Sequence, residues 1–504
     1  MQKKVLPASD FRALLSECGV DVGAISDTKR IDYLSGYVLQ IGAKTAVIEL
    51  NYIDKDFIED YAAYYSRCFL PVERTCCRLH FFGKQFSLDE FEQFVIKGED
   101  DLQGTYLGFV VIRGLSQKII GRTCLRPYGG DAKRHFCALC RIPVCLFGLR
   151  LEVGCVPFQE QDSAVAACAT CSLWSAFHIS SVKFGHENLT PGKITQFATE
   201  HGLSCNRNFP NCGLTLVDIV YAIRHVGLSP IYLDVTKETT PLRLSVLLGN
   251  IRGYLNLGIS VVVLGHVLNG DGSPQSRHAV AVSGFCLDES MGSTNVGLKA
   301  MNITKLYLHD DQIGPYARAL VGASVPNADW TVEWTDGRGN VNRYGFQVMC
   351  LVVPIYHKIR VDYEQVWKCV FRLQSAIDAV GSCVAGLRLH WDILLRSCSD
   401  FKDVLREYDF LPKTAKIQYL EMCLPHYIWT VRLEVNGLLG GVFCIDATDG
   451  SQGLSVVASV FPSDFLKSVF DKLKSADAAL MRNPLFKACV EAQFTGENQD
   501  GSRR

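Results

Sequence analysis

Hydrophobic and polar positions along the chain follow two periods, one typical of helices and one typical of strands. In the first 150 residues, a stretch at 54–68 has an N-cap candidate, Asp54, and apolar residues at helical spacing, so it predicts an amphipathic helix. Stretches rich in β-branched and aromatic residues predict strands at 78–82, 106–113 and 144–151. The N-terminal region, 1–150, is therefore predicted to be a mixed α/β accessory domain.

The middle of the chain carries helical patterns first and strand patterns afterwards. An apolar helix is predicted from Cys168 through Phe177, and two further helices, 190–202 and 215–227, begin at a threonine N-cap and end at glycine. The second of these is predicted to start with a capping box formed by Thr215 and Asp218. Strands are predicted at 231–235, 259–264, 278–285, 305–309 and 344–353. This order of elements predicts an α+β domain over 151–357.

A third set of patterns follows in the C-terminal part of the chain. Helices are predicted at 363–380 and 400–408, and strands at 428–435 and 441–445. We predict a C-terminal α+β accessory domain at 358–494 and a polar, disordered tail at 495–504. The fold class predicted for the whole chain is α+β with three domains.

Composition and charge narrow the classes of function. A chain of 504 residues is too long for one core, and 48% hydrophobic with 20% charged residues is typical of a folded protein. A net charge of -1 argues against broad binding of nucleic acid or anionic membranes. The longest apolar stretch, 258–268, is too short to cross a bilayer, and the N-terminus lacks the pattern of a secretory leader. We predict a cytoplasmic protein whose 21 cysteines form few or no disulfides.

The candidate chemistry centres on Cys168. A thiol in the first turn of a helix is favoured as thiolate by the helix dipole, and small neighbours (Ala166, Ala167 and Ala169) leave it accessible. Cys171 is a rival nucleophile, although one turn further along the helix it should be more buried.

Zinc is the alternative use of these cysteines. Cys137 and Cys140 form one CxxC unit, Cys168 and Cys171 a second, and this spacing is typical of a zinc site. The sequence after Cys137 is apolar and strand-like, however, and lacks the glycine and polar residues usual around structural zinc. We therefore predict no metal and no cofactor.

A cysteine nucleophile needs a base, and the base needs an orienting group. His278 opens a predicted strand after a polar loop, and Asp310 ends the next predicted strand, where its carboxylate can accept the imidazole N–H. Asp311 is a rival for that third role. Seven residues before Cys168, the amide of Gln161 could donate to an oxyanion together with the backbone N–H of Cys168, and Gln159 and Asp162 compete for this role.

These motifs resemble those of the papain-like cysteine peptidases. Within that superfamily, the bacterial branch of double-glycine leader (bacteriocin-processing) peptidase domains is the most similar. The resemblance is carried by four motifs: Gln161-Asp, Cys168-Ala-Thr-Cys-Ser-Leu-Trp, Arg277-His-Ala-Val-Ala-Val-Ser-Gly and Tyr307-Leu-His-Asp-Asp-Gln-Ile-Gly-Pro. The resemblance covers about 151–357. It implies a helical half packed on an antiparallel sheet, with Cys168 as nucleophile, His278 as base, Asp310 as orienting acid and Gln161 in the oxyanion hole. Two departures are Ala169, where many members have glycine, and Asp311, where proline is usual.

The expected function is cleavage of a peptide or protein amide bond by a thiol peptidase or isopeptidase through an acyl-enzyme. The alternatives are an acyltransferase or amidase with the same triad, and a catalytically silent scaffold. No transporter motor or membrane span accompanies the domain, which makes leader export unlikely as its role. The flanking domains are expected to select a protein substrate or to bind a regulatory partner, without nucleic acid or membrane.

Overall fold

The computed structural model describes most of the chain. The described residues are 3–98, 100–162, 164–202, 213–237, 242–289, 297–322, 325–336, 339–379, 388–450, 453–462, 470–471, 474 and 478–491. The chain forms two compact units. The first comprises Met1–Thr236, Gly258–Cys286 and Thr304–Ile355; the second comprises Lys237–Leu257, Leu287–Ile303 and Tyr356–Arg504.

The first unit begins with an antiparallel sheet and its helices. The strands are β1 (Lys3–Pro7), β2 (Thr45–Tyr52), β3 (Cys76–Phe82), β4 (Tyr106–Ile112) and β5 (Ile120–Leu125), paired in that order. The helices are α1 (Phe11–Glu17), α2 (Lys29–Gln40), α3 (Lys55–Ala63) and α4 (Leu88–Lys97). Asp54 caps α3, because its carboxylate accepts hydrogen bonds from the backbone N–H groups of Asp56 and Phe57.

A hairpin and three helices lead to the candidate site. A short strand, β6 (Arg134–His135), is followed by the paired strands β7 (Cys140–Leu146) and β8 (Leu149–Cys155). The helices are α5 (Cys168–Phe184), α6 (Pro191–Thr199) and α7 (Leu216–His225). All but the first residue and the last four of α5 are buried, which explains its apolar composition.

The rest of the first unit is built on a six-stranded antiparallel barrel. Its strands are β10 (Val261–Leu268), β11 (Pro274–Leu287), β12 (Ile303–Asp310), β13 (Gly314–Val321), β14 (Trp330–Thr335) and β15 (Val341–Tyr356), and β9 (Leu228–Asp234) extends the sheet beyond β15. Pairing of β10 with β15, as in Val262 opposite Val352, closes the barrel. Trp174 and Phe177 of α5 share one core cluster with Val262 and Val352, so the helix packs on the barrel.

The second unit is a four-stranded antiparallel sheet with helices. The strands are β16 (Leu389–Ser397), β17 (Tyr427–Val435), β18 (Leu438–Asp446) and β19 (Val456–Val460), paired in that order. The helices are α8 (Leu242–Asn256), α9 (Tyr363–Ala379), α10 (Cys398–Arg406), α11 (Lys413–Glu421) and α12 (Pro484–Glu491). Arg252 of α8 makes a buried bidentate pair with Asp392 of β16, with nitrogen-to-oxygen distances of 2.8 and 2.7 Å.

The mixed α+β class predicted from the sequence is confirmed, and the chain has more than one compact unit. The capping box predicted at Thr215 and Asp218 is present at the start of α7. The single strand predicted at 144–151 is wrong: Phe147 and Gly148 adopt φ values of 50° and 93°, and this two-residue turn folds the stretch into the β7–β8 hairpin. The predicted boundaries near 150 and 357 stay predictions, and the tail at 495–504 lies outside the described residues.

Of the helices in the described part of the chain, none combines the length and the apolar character needed to cross a membrane.

Candidate active site

The thiol of Cys168 lies at the first residue of α5, where the preceding residue, Ala167, is extended with φ −99° and ψ 177°. No side chain among the described residues caps this helix end, so the first backbone N–H groups point outward from the helix without a cap bond. Cys168 is half-buried, whereas the residues that follow it are buried. The helix terminus therefore presents the thiol and backbone donors together, as an oxyanion-binding arrangement requires.

The loop before the thiol is shaped by Asp162. One carboxylate oxygen, Oδ1, accepts hydrogen bonds of 2.9 Å from the backbone N–H groups of Ala164, Val165 and Ala166. The other oxygen accepts a 2.7 Å hydrogen bond from the Tyr65 hydroxyl. Asp162, weighed above as a rival for the oxyanion role, is thus fully engaged as an acceptor in holding the loop.

Gln161 and Cys168 line one cleft of about 680 Å³ in the first unit. The cleft is lined by Gln161, Ala167, Cys168, Ala169, Gly213, Leu214, Thr215, Leu216, Leu264, Gly265, His266, Arg277, His278, Ala279 and Met349. Most of its walls are apolar, and none of these lining residues carries a carboxylate. Gln159, the other rival, is buried away from this lining, and its side-chain nitrogen has no hydrogen-bond partner within the described part of the chain.

His278 lies on β11, directly opposite Gly265 of the neighbouring antiparallel strand β10. Its Nε2 is 2.9 Å from Oδ1 of Asp310, and its ring lines the same cleft as the Cys168 thiol, which acts on the pKa of the ring as a hydrogen-bond partner. Burial alone would lower the pKa of His278, but the charge and hydrogen bond of Asp310, with the bond to Cys168, raise the pKa well above its usual value. The imidazolium form is therefore favoured beside the thiol.

The carboxylate of Asp310 has two hydrogen-bond partners besides His278, the only partner that the sequence predicted. Besides His278, its carboxylate accepts hydrogen bonds from the backbone N–H of Gln312 at 2.9 Å and from the hydroxyl of Tyr344. Burial would raise the pKa of Asp310, but the charge of His278 and these hydrogen bonds outweigh it and hold the pKa below its usual value. Asp310 is thus a buried, ionised and oriented acceptor for the imidazole.

Asp311 behaves differently although it is the next residue. Its nearer oxygen is 3.7 Å from His278 Nε2, and neither of its carboxylate oxygens has a hydrogen-bond partner among the residues that the structure describes. Burial, together with the charge of Asp310 and against that of His278, raises the pKa of Asp311 to about 6. Of the two adjacent acids, the geometry joins Asp310 to the imidazole.

The structure does not support Cys171 as the nucleophile or the two CxxC units as a zinc site. Cys171 is buried, and burial together with the nearby Asp311 and Asp162 raises the pKa of its thiol well above the usual value, so it stays protonated. Among the described residues, which include both CxxC units, the only cluster of at least three ligand-type side chains is His278, Asp310 and Asp311. The four cysteines do not form a shared metal site.

The structure therefore places Cys168, His278 and Gln161 on one cleft, with Asp310 buried and hydrogen-bonded to His278. Sequence reasoning missed Tyr344, which was read only as a strand residue, and Gln312, whose side-chain nitrogen is 3.5 Å from His278 Nδ1. Their roles depend on contacts across 34 residues of chain. No local signal could have found them.

No family model matches the chain, and no curated protein shows a significant match to it.

Proposed function

We propose that the chain is a cysteine peptidase or isopeptidase with a papain-like domain, acting on a peptide or protein through an acyl-enzyme. The observation that carries the proposal is the His278–Asp310 hydrogen bond behind a cleft that both His278 and Cys168 line, with Cys168 at the start of a buried helix. A buried helix packed on an antiparallel barrel supports the papain-like interpretation.

The groups present account for each step of amide cleavage. The Cys168 thiolate attacks the carbonyl carbon, and the backbone N–H of Cys168 with the Gln161 amide would stabilise the oxyanion. The His278 imidazolium gives its proton to the leaving amine, which departs as the acyl-enzyme forms. His278 then takes a proton from water, the hydroxide attacks the thioester, and the acid product and free thiol are released. Asp310 keeps the imidazole oriented and stabilises its charged form.

The first test identifies substrate and reaction together. Wild type and Cys168→Ala protein are incubated separately in extract of the native cell, and new protein termini are compared. We expect new N-termini with wild type only, and Cys171→Ala, as matched control, to behave like wild type. Acyl transfer would appear instead as new amide links to an added amine.

Two results would contradict the proposal. The first is identical termini with wild type and Cys168→Ala, which would favour the silent scaffold. The second is preferential labelling of Cys171 by an electrophilic thiol probe, because Cys168 would then not be the reactive thiol.

A further inference from the structure

A buried arginine from the N-terminal region joins the two loops of the candidate site. Arg30 lies on α2, and its side chain is only 4% exposed. Its Nη1 donates to the backbone carbonyl of Gln312 at 3.3 Å, and its Nε pairs with the carboxylate of Glu160. A third contact, from Nη2 to Asp27 at 2.9 Å, lies on the outer side of the guanidinium.

Each of the two inner contacts reaches a residue beside a proposed catalytic group. Glu160 precedes Gln161, and its carboxylate also accepts the backbone N–H of Ile120 at 3.1 Å. Gln312 donates its backbone N–H to Asp310, and its side chain lies beside His278. One guanidinium therefore spans the loop of the proposed oxyanion donor and the loop of the orienting acid.

Arginine is suited to this bridge because its planar fork presents several donors in fixed directions. A lysine keeps the charge but carries its three N–H donors on a single nitrogen, so it cannot span both loops in the same way. The barrier to amide cleavage depends strongly on the separation of nucleophile, oxyanion donors and base, and a displacement of about 1 Å can cost about a hundredfold in rate.

We propose that Arg30 is a positioning residue that sets the distance between the Gln161 loop and the Asp310–His278 pair. This inference rests on the proposed peptidase function. It assigns to the N-terminal region a part in building the site, beyond selecting a substrate or binding a partner.

The test separates positioning from stability with a set of variants. Arg30→Met removes the bridge and the nearer cation of the buried Glu160, leaving Lys118 at 3.7 Å, so the variant could unfold. The double variant Arg30→Met with Glu160→Gln removes both charges, which should restore stability without restoring the contact to Gln312. Arg30→Lys keeps the charge without the fork. Arg12→Met is the matched control, because Arg12 is half exposed and pairs with Asp32 of α2 at the surface.

Two readouts are measured on protein shown to be folded by its urea-unfolding midpoint. The first is the rate of alkylation of Cys168 by iodoacetamide across pH, located by peptide mapping. The second is the initial rate of cleavage over a range of fluorescein-casein concentrations. For the double variant and Arg30→Lys we expect alkylation at about pH 6 to slow about tenfold, and kcat to fall between about tenfold and about a hundredfold at unchanged KM.

The proposal would be overturned if the folded double variant, or Arg30→Lys, had the same kcat and the same rate of Cys168 alkylation as wild type. So would an equal loss in Arg12→Met. The alkylation profile keeps this inference separate from the peptidase function. If wild type cleaves no peptide bond while its Cys168 is alkylated, the peptidase proposal fails, but the profiles of the Arg30 variants still show whether Arg30 positions the thiol and its base.

Discussion

Replacement of Asp311 by asparagine should change how stability depends on pH. The folded protein keeps the Asp311 proton up to about pH 6, because burial raises the pKa of this carboxyl from 3.8 to about 6. The unfolded chain releases the proton at about pH 4. Between these values the unfolded state binds fewer protons, so the stability of wild type falls as pH rises through this window.

The magnitude follows from the shift of about two pKa units, which corresponds to about 3 kcal/mol in the free energy of unfolding. The asparagine side chain would not titrate. The stability of Asp311→Asn relative to wild type should therefore rise by about 3 kcal/mol between about pH 4 and about pH 7. Asp310→Asn should change in the opposite direction and at lower pH, because the pKa of Asp310 is lowered and the stability that its ionised form gives wild type is lost only as pH falls below the unfolded pKa of about 4.

The assay follows urea unfolding of wild type and both variants from about pH 3 to about pH 8. Labelling of the buried Cys171 thiol reports unfolding of the unit that holds these acids. Cleavage is measured alongside: Asp310→Asn should lose on the order of ten thousandfold in kcat, and Asp311→Asn less than about tenfold. Stability differences that stay constant with pH would refute the environment assigned to Asp311, and a larger loss of kcat in Asp311→Asn would transfer the orienting role to it.

Two further predictions concern the loop before Cys168 and the second unit. Asp162→Ala should destabilise the first unit by about 3 kcal/mol or more and abolish cleavage, because three backbone N–H groups and the Tyr65 hydroxyl lose their acceptor. Asp162→Asn keeps one oxygen as an acceptor and should cost less stability. Equal urea midpoints for the two variants would contradict this prediction. Gly249→Ala should lower stability by about 1 to 3 kcal/mol, because its new Cβ would lie 2.1 Å from the Tyr363 hydroxyl. Gly36→Ala is a helical control whose new Cβ would have no atom within 4 Å apart from its chain neighbours and the nearby backbone of its own helix, and it should be neutral or stabilising in the same urea-unfolding experiment.

Local patterns predicted many elements of the fold, and the roles of the four residues at the candidate site stay predictions. Helix α7 has its capping box where Thr215 and Asp218 indicated it, because such a motif depends on residues three positions apart. Closure of the barrel by β10 and β15 depends on residues such as Val262 and Val352, which are far apart in sequence, and no local period encodes it. The choice between Asp310 and Asp311 was open for the same reason, since Tyr344 bonds only one of them.

Buried charges give the N-terminal region a larger part in the site than its distance along the chain suggests. Arg113 directs one nitrogen to the backbone carbonyl of Glu160 at 3.2 Å and another toward Asp162 at 3.9 Å, while Arg30 pairs with the Glu160 side chain. A buried ion without a partner costs several kcal/mol, so these arginines and the acids before Cys168 stabilise one another only when both regions are folded. The loop that carries Gln161 therefore folds cooperatively with the first sheet, and a fragment limited to the predicted domain at 151–357 would lack the cations that its own buried acids require.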